Sequence, residues 1–361
     1  MKTTIIKSAI AAIALTVMVT ACKKDSSPAT QTTTKPPTGA YGAGVFVINQ
    51  GQFGHGNADV SFFNRSTKAV SNGIFQSVNN RPLGDVAQSM TIYNGKGYIV
   101  VNNSAKVEVV NDTTFKSVAT ISGFTYPYAL IVLNSTTAYV SDWGSSGNGF
   151  IGVVNLSNNT LASKINTGHS PGAMVISGNY LYAANAGGLG TDSTITVINT
   201  QTNTVTATIQ VNYSPNSLNL DVNGKIWVTC GGYDGWPNTS LYTPGSLVCI
   251  NPSTNAIVNT IVFPGSAYHP SNTVIDGTLQ NLYYLCNSQV FAFPVTASAL
   301  SSTAIINRSF YGLGYDNSAK LLYTANAGDF TNPGWFLRYQ TTGVVVDSFK
   351  VGVIPGYFCF N

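Results

Sequence analysis

Leu181-Tyr182-Ala183-Ala184-Asn185, Ile195-Thr196-Val197-Ile198-Asn199 and Val205 to Ile209 are three apolar runs, separated by a Gly-rich loop and by the polar turn Thr200-Gln201-Thr202-Asn203. Each run is short, rich in β-branched and aromatic residues, and bounded by turn formers, which is the signature of strands. A further apolar run follows Pro171, so residues 171–209 predict four strands in succession.

Working outward, the aromatic-led run recurs as Val45 to Asn49, Gly97 to Val100, Ala138 to Asp142, Ile226 to Cys230, Leu282 to Cys286 and Leu322 to Asn326. Seven copies stand 40 to 56 residues apart, close to the length of one propeller blade. A turn proline precedes the inner strand as Pro127, Pro171, Pro215, Pro270 and Pro355, with Pro82 somewhat further upstream and Tyr311 taking its place in the seventh repeat. No stretch has a helical apolar period, so helices should be nearly absent. The first copy lacks an inner strand, while Pro355 to Phe360 is a strand without a repeat of its own. Pairing the two would close the ring and remove its exposed edges. The expected fold is all-β: a seven-bladed β-propeller of four-stranded blades, closed by the C-terminal strand.

Residues 1–21 have the layout of a secretory signal, with Lys2 and Lys7 before the apolar run Ala9 to Val19 and small residues before Cys22. This junction resembles the lipobox of bacterial lipoproteins, which implies lipidation of Cys22 and membrane attachment through it. Residues 22–40 are Ser, Thr, Pro and Lys without apolar period, the composition of a flexible tether. Lys23-Lys24-Asp25 is similar to the surface-export signals of Bacteroidetes lipoproteins, which implies display on the outer membrane facing the exterior. The propeller is expected over residues 41–361.

The formal charge of +4 belongs to the leader: residues 41–361 hold 12 basic and 12 acidic side chains. A phosphate-neutralising stripe is missing, which argues against nucleic acid as a partner. Cys230, Cys249, Cys286 and Cys359 form no C-x-x-C pair and sit in apolar runs, as buried thiols do; their spacing leaves disulfides open.

Catalytic signals are sparse. Glu108 is the one Glu of the chain, lies in an alternating strand, and reads as solvent-facing. His55, His169 and His269 are too far apart for a local metal site, so neither metal nor cofactor is expected. Gly147-Asn148-Gly149-Phe150-Ile151-Gly152 matches a dinucleotide fingerprint, but a strand follows it instead of the helix that would receive a pyrophosphate.

In a propeller, the turn before each inner strand and the loop after each aromatic strand open on one face around the central channel. Those segments hold Phe53, His55, Arg81, Gln88, Tyr126, Trp143, His169, Tyr213, Tyr233, Trp236, His269, Tyr311, Phe330 and Trp335, the candidate ligand-binding set. The longest loop, Cys230 to Pro244, adds Asp234, Asn238 and Tyr242 and should overhang the channel mouth. Aromatic faces mixed with amides and hydroxyls suit a bulky, partly apolar ligand rich in hydrogen-bonding edges, a corrinoid or a carbohydrate.

The repeats resemble the YVTN and YncE class of propellers. Asn49 to Gly54, Ala58 to Phe63 and Asn79 to Met90 are similar to the opening of the DUF5074 lipoproteins of Bacteroidetes. That family includes a surface lipoprotein that captures cobalamin over a TonB-dependent transporter. The resemblance implies a non-enzymatic capture protein, with a corrinoid such as cobalamin as ligand and a TonB-dependent transporter as partner. Two other classes stay open: a propeller enzyme of lactonase or quinoprotein type, using Asp142, Asp234 and Asp329, and a glycan- or protein-binding module.

Overall fold

The structure, a computed structural model, describes residues 39–188, 191–235 and 242–361. Cys22, the leader, the tether as far as residue 38, Trp236 and Asn238 lie outside the described residues. Strands from Gly44 to Phe360 form seven antiparallel sheets, one per repeat.

Blade 2 comprises Ala87–Tyr93, Lys96–Val101, Lys106–Asn111 and Ser117–Ile121; blade 3, Pro127–Val132, Thr137–Asp142, Asn148–Asn155 and Thr160–His169. Blade 4 comprises Pro171–Ser177, Tyr180–Asn185, Thr194–Asn199 and Thr204–Gln210; blade 5, Pro215–Leu220, Ile226–Cys230, Ser246–Asn251 and Ala256–Val262. Blade 7 comprises Gly312–Asp316, Leu321–Asn326, Pro333–Gln340 and Val345–Val353. Blade 6 departs from the expected four strands. It has Ser271–Ile275, Asn281–Cys286 and Gln289–Pro294, and its outer edge meets only a bridge from Val290 to Ile306. The segment after Pro294 instead lays Val295, Ala297, Leu300 and Ala304 against the core between blades 5 and 6.

Blade 1 is closed as expected. Pro355–Phe360 pairs with Gly44–Asn49, from Val45 opposite Phe360 to Asn49 opposite Pro355. Arg65 fastens the join by donating to Asp316 at 2.7 Å and to the Asn361 carbonyl at 2.6 Å. The outer strand of this blade is only Val70–Ser71, and the α-helix Ile74–Asn79 follows it. Its Ile74, Phe75 and Val78 pack into the cluster holding Phe62 and Phe115. Asp59 accepts from the Phe75 amide at the start of the helix, and burial pushes its carboxyl up to about 6 despite the backbone bonds that oppose the shift.

Seven hydrophobic clusters fill the gaps between neighbouring blades. The aromatic strand is covered on both faces, which is why its sequence is almost continuously apolar. Its signature tyrosine also makes a polar contact, since the hydroxyls of Tyr139 and Tyr182 donate to Asn203 and Asn255, each in an outer turn of the next blade, at 2.7 Å. The four cysteines are free and buried, and burial pushes the Cys230 and Cys359 thiols up to about 12.

Glu108 corrects the sequence expectation. It is fully buried, with Arg81 at 2.6 Å, Lys106 at 2.8 Å and Ser117 at 2.5 Å around its carboxylate. Strand alternation does not report solvent exposure here, because the helix connection beside the strand brings Arg81 over it.

Candidate functional site

The innermost strands begin with a recurring irregularity. Val101 pairs with Ala87 but Val100 with Ser89, leaving Gln88 unpaired between them. The same slip leaves out Tyr128 in blade 3, Asn216 in blade 5 and Gly356 in blade 1, and a wider one spans Asn272 in blade 6. A bulge of this kind re-aims a side chain, and all five of these residues line the mouth of the central channel. The residue before the bulge is held left-handed in four blades: Val86, Ser170, Ser214 and Ile354, with φ of 57, 47, 53 and 53 degrees. For β-branched Val86 and Ile354 this conformation costs on the order of 1–3 kcal/mol. It persists because each carbonyl accepts the N–H of the residue after the neighbouring strand, as Asn102 to Val86 at 2.7 Å and Gln50 to Ile354 at 2.8 Å.

The result is a bowl of about 580 Å³. Gln50, Gln88, Asn216, Asn219 and Asn272 supply amides; Tyr128, Tyr311 and Tyr357 supply rings; none of its lining residues is Asp, Glu, Lys, Arg or His. Several of these groups also join blades. Asn216 donates to the Pro270 carbonyl at 2.9 Å, Asn219 to Thr273 at 3.2 Å, and Asn272 to Tyr311 at 3.1 Å. One N–H of Asn219 and one of Asn272 is committed to a neighbouring blade, which leaves each amide its second N–H and its carbonyl oxygen to offer a ligand. Tyr311 donates to Gln50 at 2.9 Å and Gln88 bonds the Tyr128 hydroxyl. Burial raises all three phenols above their ordinary value, Tyr357 to about 12 even though 43% of that residue's surface is open to the channel. They therefore stay neutral donors and acceptors across the physiological range.

Of the residues singled out from sequence, Gln88 and Tyr311 line the bowl directly. Trp143 stacks behind Tyr128 at 5.4 Å, its buried indole N–H without a partner among the described residues, and Phe330 meets Tyr311 edge-on at 5.3 Å. His269 lies in an adjoining groove, its Nδ1 on the Gly231 carbonyl at 2.7 Å. Tyr213 packs on Tyr233 at 5.5 Å at the root of the long loop. Tyr126 is half-buried, with its amide on Asp142 and its carbonyl accepting from Trp143. Phe53, His55, His169 and Trp335 are exposed and outside the bowl lining. Arg81 is committed to Glu108 and sits over the Phe75 ring.

The three acidic residues considered for a cation do not converge. Asp142 is buried and accepts backbone N–H groups of Thr125, Tyr126 and Gly144. Asp329 caps its own loop through Thr331 and Asn332, and Asp234 is exposed. Among the described residues no three His, Cys, Asp or Glu side chains group to hold a metal ion.

Residues 43–340 match the family model described as a domain of unknown function, DUF5074. The chain belongs to the DUF5074 family. No curated protein sequence matches it. In three dimensions the DUF5074 propeller is similar to a quinoprotein alcohol dehydrogenase-like protein of Bacteroides thetaiotaomicron, at 13% identity over 89% of this chain and 78% of that one, TM-score 0.67. It is also similar to a periplasmic gluconolactonase of Pseudomonas aeruginosa, at 12% identity over 88% and 99% of the two chains, TM-score 0.64. Hydrazine synthase of Kuenenia stuttgartiensis follows at 17% identity over 70% and 76%, TM-score 0.52. At these identities the likeness concerns the DUF5074 fold alone.

Proposed function

We propose that this DUF5074 propeller is a non-enzymatic capture protein, anchored through Cys22 on the outer membrane, that holds a corrinoid such as cobalamin in the bowl and passes it to a TonB-dependent transporter. The observation that carries the reading is the uncharged lining of the bowl: amides, hydroxyls and three neutral phenols, set by bulges on rigid inner strands. Such a surface binds by shape, ring contact and neutral hydrogen bonds. Asn219 and Asn272 keep both a donor and an acceptor, which suits a ligand whose edges carry amides, as the amide-fringed corrin ring does. The Cys22 junction and the DUF5074 membership support the address and the ligand class.

Isothermal titration with cyanocobalamin tests it, with Tyr128→Ala as the variant. One-to-one binding is expected, weakened at least about tenfold by loss of a central ring contact. No heat and no thermal shift at high ligand concentration would remove corrinoids. Glycan binding without corrinoid binding would move the protein to the interaction-module class, and metal-dependent turnover would move it to the enzymes.

A further inference from the structure

Beside the bowl, on the same face, a groove of about 320 Å³ runs outward over blade 6 and shares Asn272 and Tyr311 with it. The groove exists because one wall is low. In the other blades the aromatic strand is joined to the next by residues 50–58, 102–105, 143–147, 186–193, 231–245 and 327–332; in blade 6 the connection is Asn287 and Ser288 alone. Both are left-handed, with φ of 48 and 62 degrees, as a two-residue hairpin turn requires.

The chemistry of the groove differs from that of the bowl. Ser271, Ser288 and Ser309 line it with hydroxyls that make no hydrogen bond among the described residues. His269 lines it too, and because a carbonyl can only accept, its Nδ1 carries the proton given to Gly231, which fixes the ring. Phe310 forms a wall; the exposed Arg308, outside the lining but next to the lining residue Ser309, holds its guanidinium 5.8 Å from the centroid of that ring. Arg308 has no ion-pair partner among the described residues, unlike Arg65, Arg81 and Arg338. No carboxylate lines the groove.

We infer that the groove is a second subsite for a phosphate-ester substituent of a ligand whose neutral body fills the bowl. The bowl half of this inference rests on the capture reading above; the groove half does not. Hydroxyl donors in the groove and an unpaired guanidinium at its margin suit a phosphate oxyanion, and the low wall lets such a substituent leave the bowl sideways.

The chain has three histidines, so imidazole NMR of the full chain in detergent is a clean probe, with the His269 signal assigned by His269→Gln. Phenyl phosphate at millimolar concentration should shift the His269 resonances saturably, leave those of His55 and His169 in place, and lose its effect in Arg308→Ala. No movement of His269, or equal movement of all three, would overturn the proposal. A second readout joins the two subsites: cyanocobalamin should bind about tenfold more tightly than cobinamide, which lacks the phosphate-bearing tail, and Arg308→Ala should erase that difference. Equal affinities would refute the joined site while leaving corrinoid capture intact. A His269 response without any corrinoid binding would keep the phosphate subsite and remove the capture reading.

Discussion

Replacing Arg81 by alanine separates structural from ligand-binding use of a residue that sequence alone places on the binding face. The Glu108 carboxylate has no exposed surface, so without Arg81 it keeps only Lys106, Ser117 and a long contact to Thr120 at 3.4 Å. Stripping one partner from a buried ion pair costs about 3–5 kcal/mol when nothing compensates. Lys106 remains at 2.8 Å and Arg81 is itself 41% exposed, so the lower end applies. Loss of the cation over the Phe75 ring, 4.9 Å from its centroid, adds about 0.5–1 kcal/mol. The expected destabilisation is about 3.5–4 kcal/mol. Urea unfolding of Arg81→Ala, Glu108→Gln and the double variant measures it, and the coupling between the two positions should be about 2 kcal/mol. Burial alone would raise the Glu108 pKa, but the bonds from Arg81, Lys106 and Ser117 together outweigh it and hold the group below its ordinary value. Its stabilisation is therefore complete above the unfolded carboxylate pKa and is lost as pH falls through the folded one. Wild type and Arg81→Ala should converge in acid. Additivity within about 0.5 kcal/mol would refute the buried-pair argument, and a loss of ligand affinity at unchanged stability would return Arg81 to the binding face.

Phe358→Ala tests closure. This side chain is 4% exposed and faces Tyr323 and Phe336 across the seam between blades 7 and 1, so about 3–5 kcal/mol should be lost, a fall in Tm of roughly 4–7 °C for a domain of this size. Phe53→Ala, at a residue 74% exposed, should leave Tm unchanged, and similar values for the two variants would contradict the seam. Asp59 behaves oppositely to Glu108: with its folded pKa raised to about 6, the stability it contributes is present below the unfolded pKa of about 3.9 and lost as pH rises through 6. Asp59→Asn should remove a decline of about 2–3 kcal/mol between pH 4 and 8, and pH–stability profiles of the two proteins that run parallel would exclude it.

The blade count and the closing strand are legible in the sequence because the aromatic strand is buried on both faces and repeats without interruption. Blade 6 misleads by its length: residues 295–310 are long enough for an outer strand, but Val295, Ala297 and Leu300 fold over the core edge instead. The binding face is legible and its floor is not. Tyr128, Asn216 and Tyr357 fall inside strands, where a two-residue period assigns facing, and the bulge after the first residue puts that period out of phase. The usable signal is the residue directly after the turn proline, in Pro127-Tyr128 and Pro215-Asn216. Arg81 and Glu108 each mislead for want of the other, since nothing in either segment reveals that the short helix connection brings them together.

Blade 1 also sets a timetable. Its inner strand, Pro355–Phe360, lies at the far end of the chain from the strand it pairs with, and Asn361 bonds the Tyr41 carbonyl across 320 positions. A polypeptide that emerges from the ribosome amino end first must hold Gly44–Asn49 with an open inner edge while six further blades emerge. Contacts this remote form slowly, and until they form, the edge can accept a strand from a neighbouring molecule as readily as its own. Chains stalled before Pro355 would thus be the ones that cross-pair, which makes the period of emergence, more than the finished ring, the stage at which this protein depends on being kept apart from its copies.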